Sequence, residues 1–241
     1  MSYAKECESV SSPIYIKIHN EIRQRIEDGE WAVGDRIPAE RELAEQFGVS
    51  RMTLRQAIQT LVDEGLLERH IGAGTFVARK KVQEKMTGVT SFTEITEAQG
   101  KTPSSKTISY VVTTPSLSES EKLNLKAGER VLRMERIRYA DNIPICFEVA
   151  TVPFHLVKNF DREQITQSLY RTLEQHGMTM GHAEQIVSAV AASERIAAYL
   201  GIKRGAAVLR LRQVSQLKNG QPFEYVRTQY VGNRFEFYLE R

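Results

Sequence analysis

Two stretches of this chain align without a gap: Leu123-Asn124-Leu125-Lys126-Ala127-Gly128-Glu129-Arg130-Val131-Leu132-Arg133 and Leu200-Gly201-Ile202-Lys203-Arg204-Gly205-Ala206-Ala207-Val208-Leu209-Arg210. Each copy leads from a short helical pattern into a strand, then to a turn containing Asn and Pro (Asn142-Ile143-Pro144, and Asn219-Gly220-Gln221-Pro222), then to a second strand. The copies lie too far apart for a solenoid. They predict one sheet with pseudo-twofold symmetry, mainly antiparallel because each strand pair is joined by a short turn. Each second strand carries a glutamate, Glu148 or Glu224.

In the strand from Val131 to Tyr139, side-chain alternation puts Leu132, Met134, Arg136 and Arg138 on one face. Two guanidinium groups thus continue an apolar surface, and burying them without a negative partner is costly. A ligand anion would answer them, since paired forks suit phosphate or carboxylate. A buried carboxylate such as Glu148 would answer them equally, and the residues alone leave both open. The second copy has Gln213 and Ser215 at the matching positions, so the fold does not require the arginines. Thr90-Ser91-Phe92 and Ser168-Leu169-Tyr170 read as helix starts, where hydroxyls either cap the backbone or meet an anion. Glu148, and Glu224 on a face with Val226, Thr228 and Tyr230, are carboxylates among apolar neighbours, able to accept from sugar hydroxyls or to pair with arginine.

The first third of the chain has a different pattern. Ile14, Ile18, Ile22 and Ile26 recur four apart up to Gly29, which predicts an amphipathic helix. Pro38-Ala39-Glu40-Arg41-Glu42-Leu43 opens a second, short helix that ends near Gly48. Ser50 caps a third, with Leu54, Ala57, Ile58, Leu61 and Val62 on one face and Arg51, Thr53 and Arg55 on the other. Strand-like segments then flank the glycines Gly72 and Gly74. Helix, short turn, helix and a two-stranded wing is the winged helix-turn-helix order, in which arginines near the start of the third helix match the acceptors of guanine in the major groove. Arg41 could instead pair with Glu45 one turn on. Residues 1–80 hold 11 Lys and Arg against 13 Asp and Glu, a net of −2 that leaves +5 for the rest of the chain. A non-specific DNA coater would show a bulk basic surface there, so any DNA binding rests on placed arginines and is sequence-selective.

These 241 residues suffice for two domains. No apolar run is long enough to span a membrane and the N-terminus lacks a signal-peptide core, which implies a cytoplasmic protein without a membrane partner. Two cysteines, Cys7 and Cys146, provide neither a disulfide framework nor a metal cluster, and Cys146 reads as a small core residue. His19, His70, His155, His176 and His182 show no metal-ligand spacing, and no nucleophile-base-acid set stands out. The residues call for no catalytic site, no metal and no cofactor.

The stretch PAERELAEQFGVSRMTLRQAIQTLVDEGLLERHIGAGTFV resembles the DNA-binding domain of the GntR family of bacterial transcription regulators, over residues 12–78. The resemblance implies that Arg41, Ser50, Arg51, Thr53, Arg55 and Gly72 contact DNA, as a homodimer on a palindromic operator. Ala73 stands between the wing glycines where relatives often have a basic residue. The second part, from about residue 85, resembles the UTRA effector-binding domain of the HutC branch, related in fold to chorismate lyase. Its TSFTE, RIRY and SLY segments, two FE strands and Tyr230 are similar to those of UTRA regulators that respond to N-acetylglucosamine 6-phosphate or related amino-sugar phosphates. That similarity implies effector contacts from Thr90, Ser91, Phe92, Arg136, Arg138, Glu148, Ser168, Tyr170, Glu224 and Tyr230. The expected fold class is α+β: a winged helix-turn-helix domain over 1–78, a linker over 79–89 and an effector-binding and dimerisation domain over 90–241. The expected function is a ligand-responsive transcription regulator acting as a repressor, and not an enzyme.

Overall fold

The computed structural model describes residues 12–70, 72–86 and 88–240, so Cys7 and Ile71 lie outside the described residues. The chain divides into two compact units between Lys80 and Lys81.

In the first unit α1 (Ile14–Glu27), α2 (Glu40–Gln46) and α3 (Arg51–Asp63) precede a hairpin of β1 (Leu67–His70) and β2 (Gly74–Val77). Ile18, Ile22, Leu43, Leu54, Ala57, Ile58 and Leu61 form its core, as helical spacing requires. Ile14, the first residue of the expected stripe, is 59% exposed: the opening turn of α1 overhangs that core. His19 is buried and bonds the carboxylate of Glu64 at 2.8 Å. Burial lowers the pKa of its imidazole, but bonds to Asn20 and Glu64 outweigh that and raise it above the ordinary value.

The second unit is built on a six-stranded antiparallel sheet, ordered β4 (Pro103–Thr113), β5 (Val131–Ala140), β6 (Ile143–Pro153), β9 (Pro222–Val231), β8 (Ala207–Leu217) and β7 (Met180–Ala191). The two repeat copies are β5–β6 and β8–β9, and they meet at the β6–β9 pairing, so the sheet has the pseudo-twofold order that the repeat predicts. Both hairpins carry a bulge near the turn, at Ile145 between β5 and β6 and at Phe223 between β8 and β9. Register then matches Glu224 to Cys146, and Glu148 to Val226. The two glutamates are therefore not equivalent: they share a face but sit one pleat apart. One face of the sheet is covered by α4 (Phe92–Glu97), α6 (Phe154–Val157), α7 (Arg162–Gln167) and α8 (Leu169–Gln175). The other packs against α5 (Leu117–Lys122) and α9 (Glu194–Leu200).

Residues 79–89 are not an open linker throughout. Within them β3 (Val82–Lys85) pairs in parallel with β10 (Phe235–Tyr238), the last strand of the chain. Val82 is buried on Phe235, and that apolar contact accounts for the order. On α5, Glu119 is buried against Arg133, Arg227, Thr151 and Ser116. Burial alone would raise its carboxyl, yet those donors hold it down at about 2.

Candidate functional site

The covered face of the sheet changes from apolar to polar halfway along, between the cluster under α6–α8 and the cluster under α4 and β10. All ten residues expected to meet an effector, Thr90, Ser91, Phe92, Arg136, Arg138, Glu148, Ser168, Tyr170, Glu224 and Tyr230, line one chamber of about 50 Å³ there. That space admits a water or two. A wider open cleft of about 530 Å³ adjoins it and shares Thr93, Arg138 and Ser168, so these three stand at the junction.

The two arginines fare differently. Arg136 is committed: it donates to Glu148 through both Nε (3.0 Å) and Nη2, and through Nη1 to the carbonyls of Ile165 (3.2 Å) and Thr166 (2.9 Å). Glu148 reaches it because directly opposed positions on β5 and β6 bring the pair together. Arg138 is less engaged. Its Nη2 donates to Thr93 Oγ1 at 2.9 Å and its guanidinium lies 4.8 Å from the Phe92 ring centroid, but its buried Nε has no hydrogen-bond partner. Burial, with Arg136 beside it, lowers its pKa to about 10.

Ser168 occupies the joint between α7 and α8, where φ is −153°, and its hydroxyl does not cap α8. That buried Oγ is also without a partner. Ser91, by contrast, spends its hydroxyl on a capping box with Glu94 at the start of α4. Across the chamber Tyr170 donates to Glu224 (2.6 Å), while Gln213 donates to Tyr170 (3.1 Å) and Ser215 (2.8 Å). Tyr230 stacks on Phe235 with ring centroids 3.9 Å apart.

Burial, reinforced by the charge of Glu148, pushes Glu224 up to about 7. Glu148 would also rise on burial, but Arg136 and Arg138 hold it below the ordinary value. With Glu84 of the same lining also pushed up to about 7 by burial, the site holds one ionised carboxylate, two neutralisable ones and two cations, and is positive when Glu224 and Glu84 are both protonated. Glu84 of β3, Gln213 and Thr228 line the chamber too and were not expected to. Gln213 stands at the position of Arg136 in the second repeat, and Glu84 falls inside the expected linker, on a strand whose single apolar residue, Val82, gives no alternation to read.

On the first unit, Gly48 turns the chain between α2 and α3 with φ of +64°. Ser50 caps α3, its Oγ accepting from the Thr53 amide at 3.2 Å and lying 2.9 Å from Thr53 Oγ1. Arg51 and Arg55 are exposed at the first turns of α3, as is Arg41 on α2, whose Nε stands 3.9 Å from Glu45. Arg55 and Arg69 both pair with Glu40, each at 3.1 Å. Gly72 sits exposed at the wing tip with φ of +77°. A side chain at Gly74 would collide with Arg36, 2.7 Å from where its Cβ would stand, so Arg36 rests on the wing. Arg36 and Arg69 also line this face, at positions for which the resemblance implies no DNA contact. Among the described residues no helix is long and apolar enough to cross a membrane, and no cluster of His, Cys, Asp and Glu is placed to hold a metal.

Comparison with known proteins accounts for both units. Residues 14–77 match the bacterial regulatory proteins of the gntR family, and residues 98–236 match the UTRA domain. The chain is similar to the HTH-type transcriptional repressor NagR of Bacillus subtilis, with 36% identity over 95% of this chain and 96% of that protein. It is also similar to the crystal structure of PhnF from Mycobacterium smegmatis, with 30% identity, a TM-score of 0.70, and coverage of 93% of this chain and 98% of that one. A GntR-family regulator from Enterococcus faecalis V583 is 61% identical, with a TM-score of 0.55, over 57% of this chain and 100% of that one.

Proposed function

Since the chain belongs to the gntR family of bacterial regulatory proteins and carries a UTRA domain, and is thus a DNA-binding transcription regulator rather than an enzyme, we propose that it is a repressor controlled by a phosphorylated amino sugar such as N-acetylglucosamine 6-phosphate. The observation that carries this reading is the pair of unpartnered buried polar atoms, Arg138 Nε and Ser168 Oγ, lining the same chamber. A buried donor without an acceptor is costly, and an anion seated between chamber and cleft removes that cost. Glu148, Glu224 and Tyr230 then face the sugar, whose hydroxyls donate to the carboxylates.

A hexose phosphate exceeds the 50 Å³ chamber, so on this reading it extends into the adjoining cleft of about 530 Å³ past Thr93, Arg138 and Ser168. Residues 1–78 read DNA, with Arg41, Ser50, Arg51, Thr53, Arg55 and Gly72 against the duplex; residues 79–89 transmit; residues 90–241 bind effector and hold a cytoplasmic homodimer together. Two copies place their third helices about 34 Å apart on a palindromic operator.

Calorimetric titration with N-acetylglucosamine 6-phosphate and with N-acetylglucosamine tests the reading. Binding is expected only with the phosphate, and Arg138→Gln is expected to weaken it by a factor of at least about 30, since removing one partner of a buried charge pair costs about 2–5 kcal/mol. Equal affinity for both sugars would overturn it.

A further inference from the structure

Glu84 is the acid that the effector reading leaves without a task. On β3 the burial alternates, with Val82 and Glu84 inward and Gln83 and Lys85 outward, so a carboxylate occupies a position where the pattern calls for an apolar residue. It is 6% exposed and lines the chamber from β3, the strand that begins just after the boundary between the two units. Its carboxylate is poorly served: Gln185 Nε2 approaches only to 3.5 Å, and that amide is already given to Gln213 at 2.6 Å. Burial pushes its pKa up to about 7, as expected of a carboxyl waiting for a donor.

Arg136 answers Glu148 and Tyr170 answers Glu224, so each of the other two chamber acids has a strong donor. Burying an acid without one is expensive, and a fold that needed only packing would hold a leucine here. The geometry points to Glu84 as a ligand-binding residue that accepts a hydroxyl or amine donor of the effector, and as the contact through which pocket occupancy is transmitted to β3. This rests on the effector reading and adds to it the residue that links ligand to connector. β3 is fixed on one side by β10, with Glu84 paired in register with Phe237, so a pull on its carboxylate is transmitted along the strand toward Lys81. The effector class is thereby narrowed: it must carry a hydroxyl or amine donor set apart from its anionic group, which inorganic phosphate and an unsubstituted short carboxylate such as acetate lack.

The test uses full-length protein, N-acetylglucosamine 6-phosphate as the probe ligand, and the duplex that the protein selects from a random-sequence pool. Glu84→Gln and Glu84→Leu are expected to fold with a Tm at or above that of the wild type, because each removes a poorly partnered buried acid, and to bind DNA without ligand as the wild type does. Ligand affinity is expected to fall about tenfold in Glu84→Gln and further in Glu84→Leu, and at saturating ligand the change in DNA affinity is expected to be less than half the wild-type change. Unaltered ligand affinity, or a full DNA response at saturation, would overturn the assignment of Glu84 while leaving the effector reading intact. A wild-type protein that binds no sugar phosphate would overturn both.

Discussion

Replacing Arg136 by glutamine, the residue at the equivalent position of the second repeat, is expected to destabilise the second unit rather than merely empty its pocket. Arg136 is 2% exposed, and its guanidinium holds Glu148 through two nitrogens and caps two carbonyls that end α7. Removing one partner of a buried ion pair costs about 3–5 kcal/mol, because the remaining charge loses its compensation. For a unit of this size each kcal/mol shifts Tm by about 2–4 °C, so the transition should fall by about 6–20 °C. The repeat copy tolerates glutamine because Gln213 faces Tyr170 and Ser215, not an ionised acid. Differential scanning calorimetry of the full-length protein measures the shift. The double variant Arg136→Met with Glu148→Leu supplies the control: replacing both charges by apolar groups of similar volume is often neutral or stabilising, so most of the loss should return. An Arg136→Gln protein melting within 2 °C of wild type would refute the claim that this pair is integral to the fold.

Alanine at Arg51 or Arg55 is expected to cost about 1–3 kcal/mol on the selected duplex and to relax discrimination at one position per half-site, whereas equal loss on random DNA would mark phosphate contacts. Glu119, held at about 2 against a usual 4.5, contributes on the order of 3 kcal/mol. Its folded pKa is depressed, so that stability is complete above about pH 4.5 and is lost as pH falls through 2; Glu119→Gln should be weaker in urea at pH 7 and closer to wild type near pH 2. A Gly/Ser insertion between Lys80 and Lys81 is expected to leave ligand affinity unchanged while removing most of the ligand's effect on DNA binding, and full response in that variant would exclude transmission through the connector.

Much of the sheet was legible because a gapless repeat allows few arrangements: two hairpins with matched bulges related about the β6–β9 pairing. The same repeat misleads locally. Phe147-Glu148 and Phe223-Glu224 look alike in sequence, yet Phe223 is the bulge residue of its hairpin and Phe147 is not, which moves Glu224 one pleat away. The arginine face was legible from alternation, but which arginine meets Glu148 depended on cross-strand register, a property of two strands and not of one. β3 was hidden for a different reason. Four residues beside a basic run give little periodicity, and their partner is β10 at the far end of the chain, so no local signal marks the pairing. Hence Glu84, which lines the chamber, sat unnoticed in an expected linker, although α3 with its cap and stripe was fully readable.

On the proposed function the ligand chamber and the DNA-reading face are thermodynamically coupled, and coupling between two sites is reciprocal. The direct measurement is a paired titration: affinity for the selected duplex with and without saturating N-acetylglucosamine 6-phosphate, and affinity for that ligand with and without duplex. Both affinities are expected to change by the same factor, about 5- to 150-fold. Tight ligand binding that leaves the DNA affinity unchanged would refute the coupling.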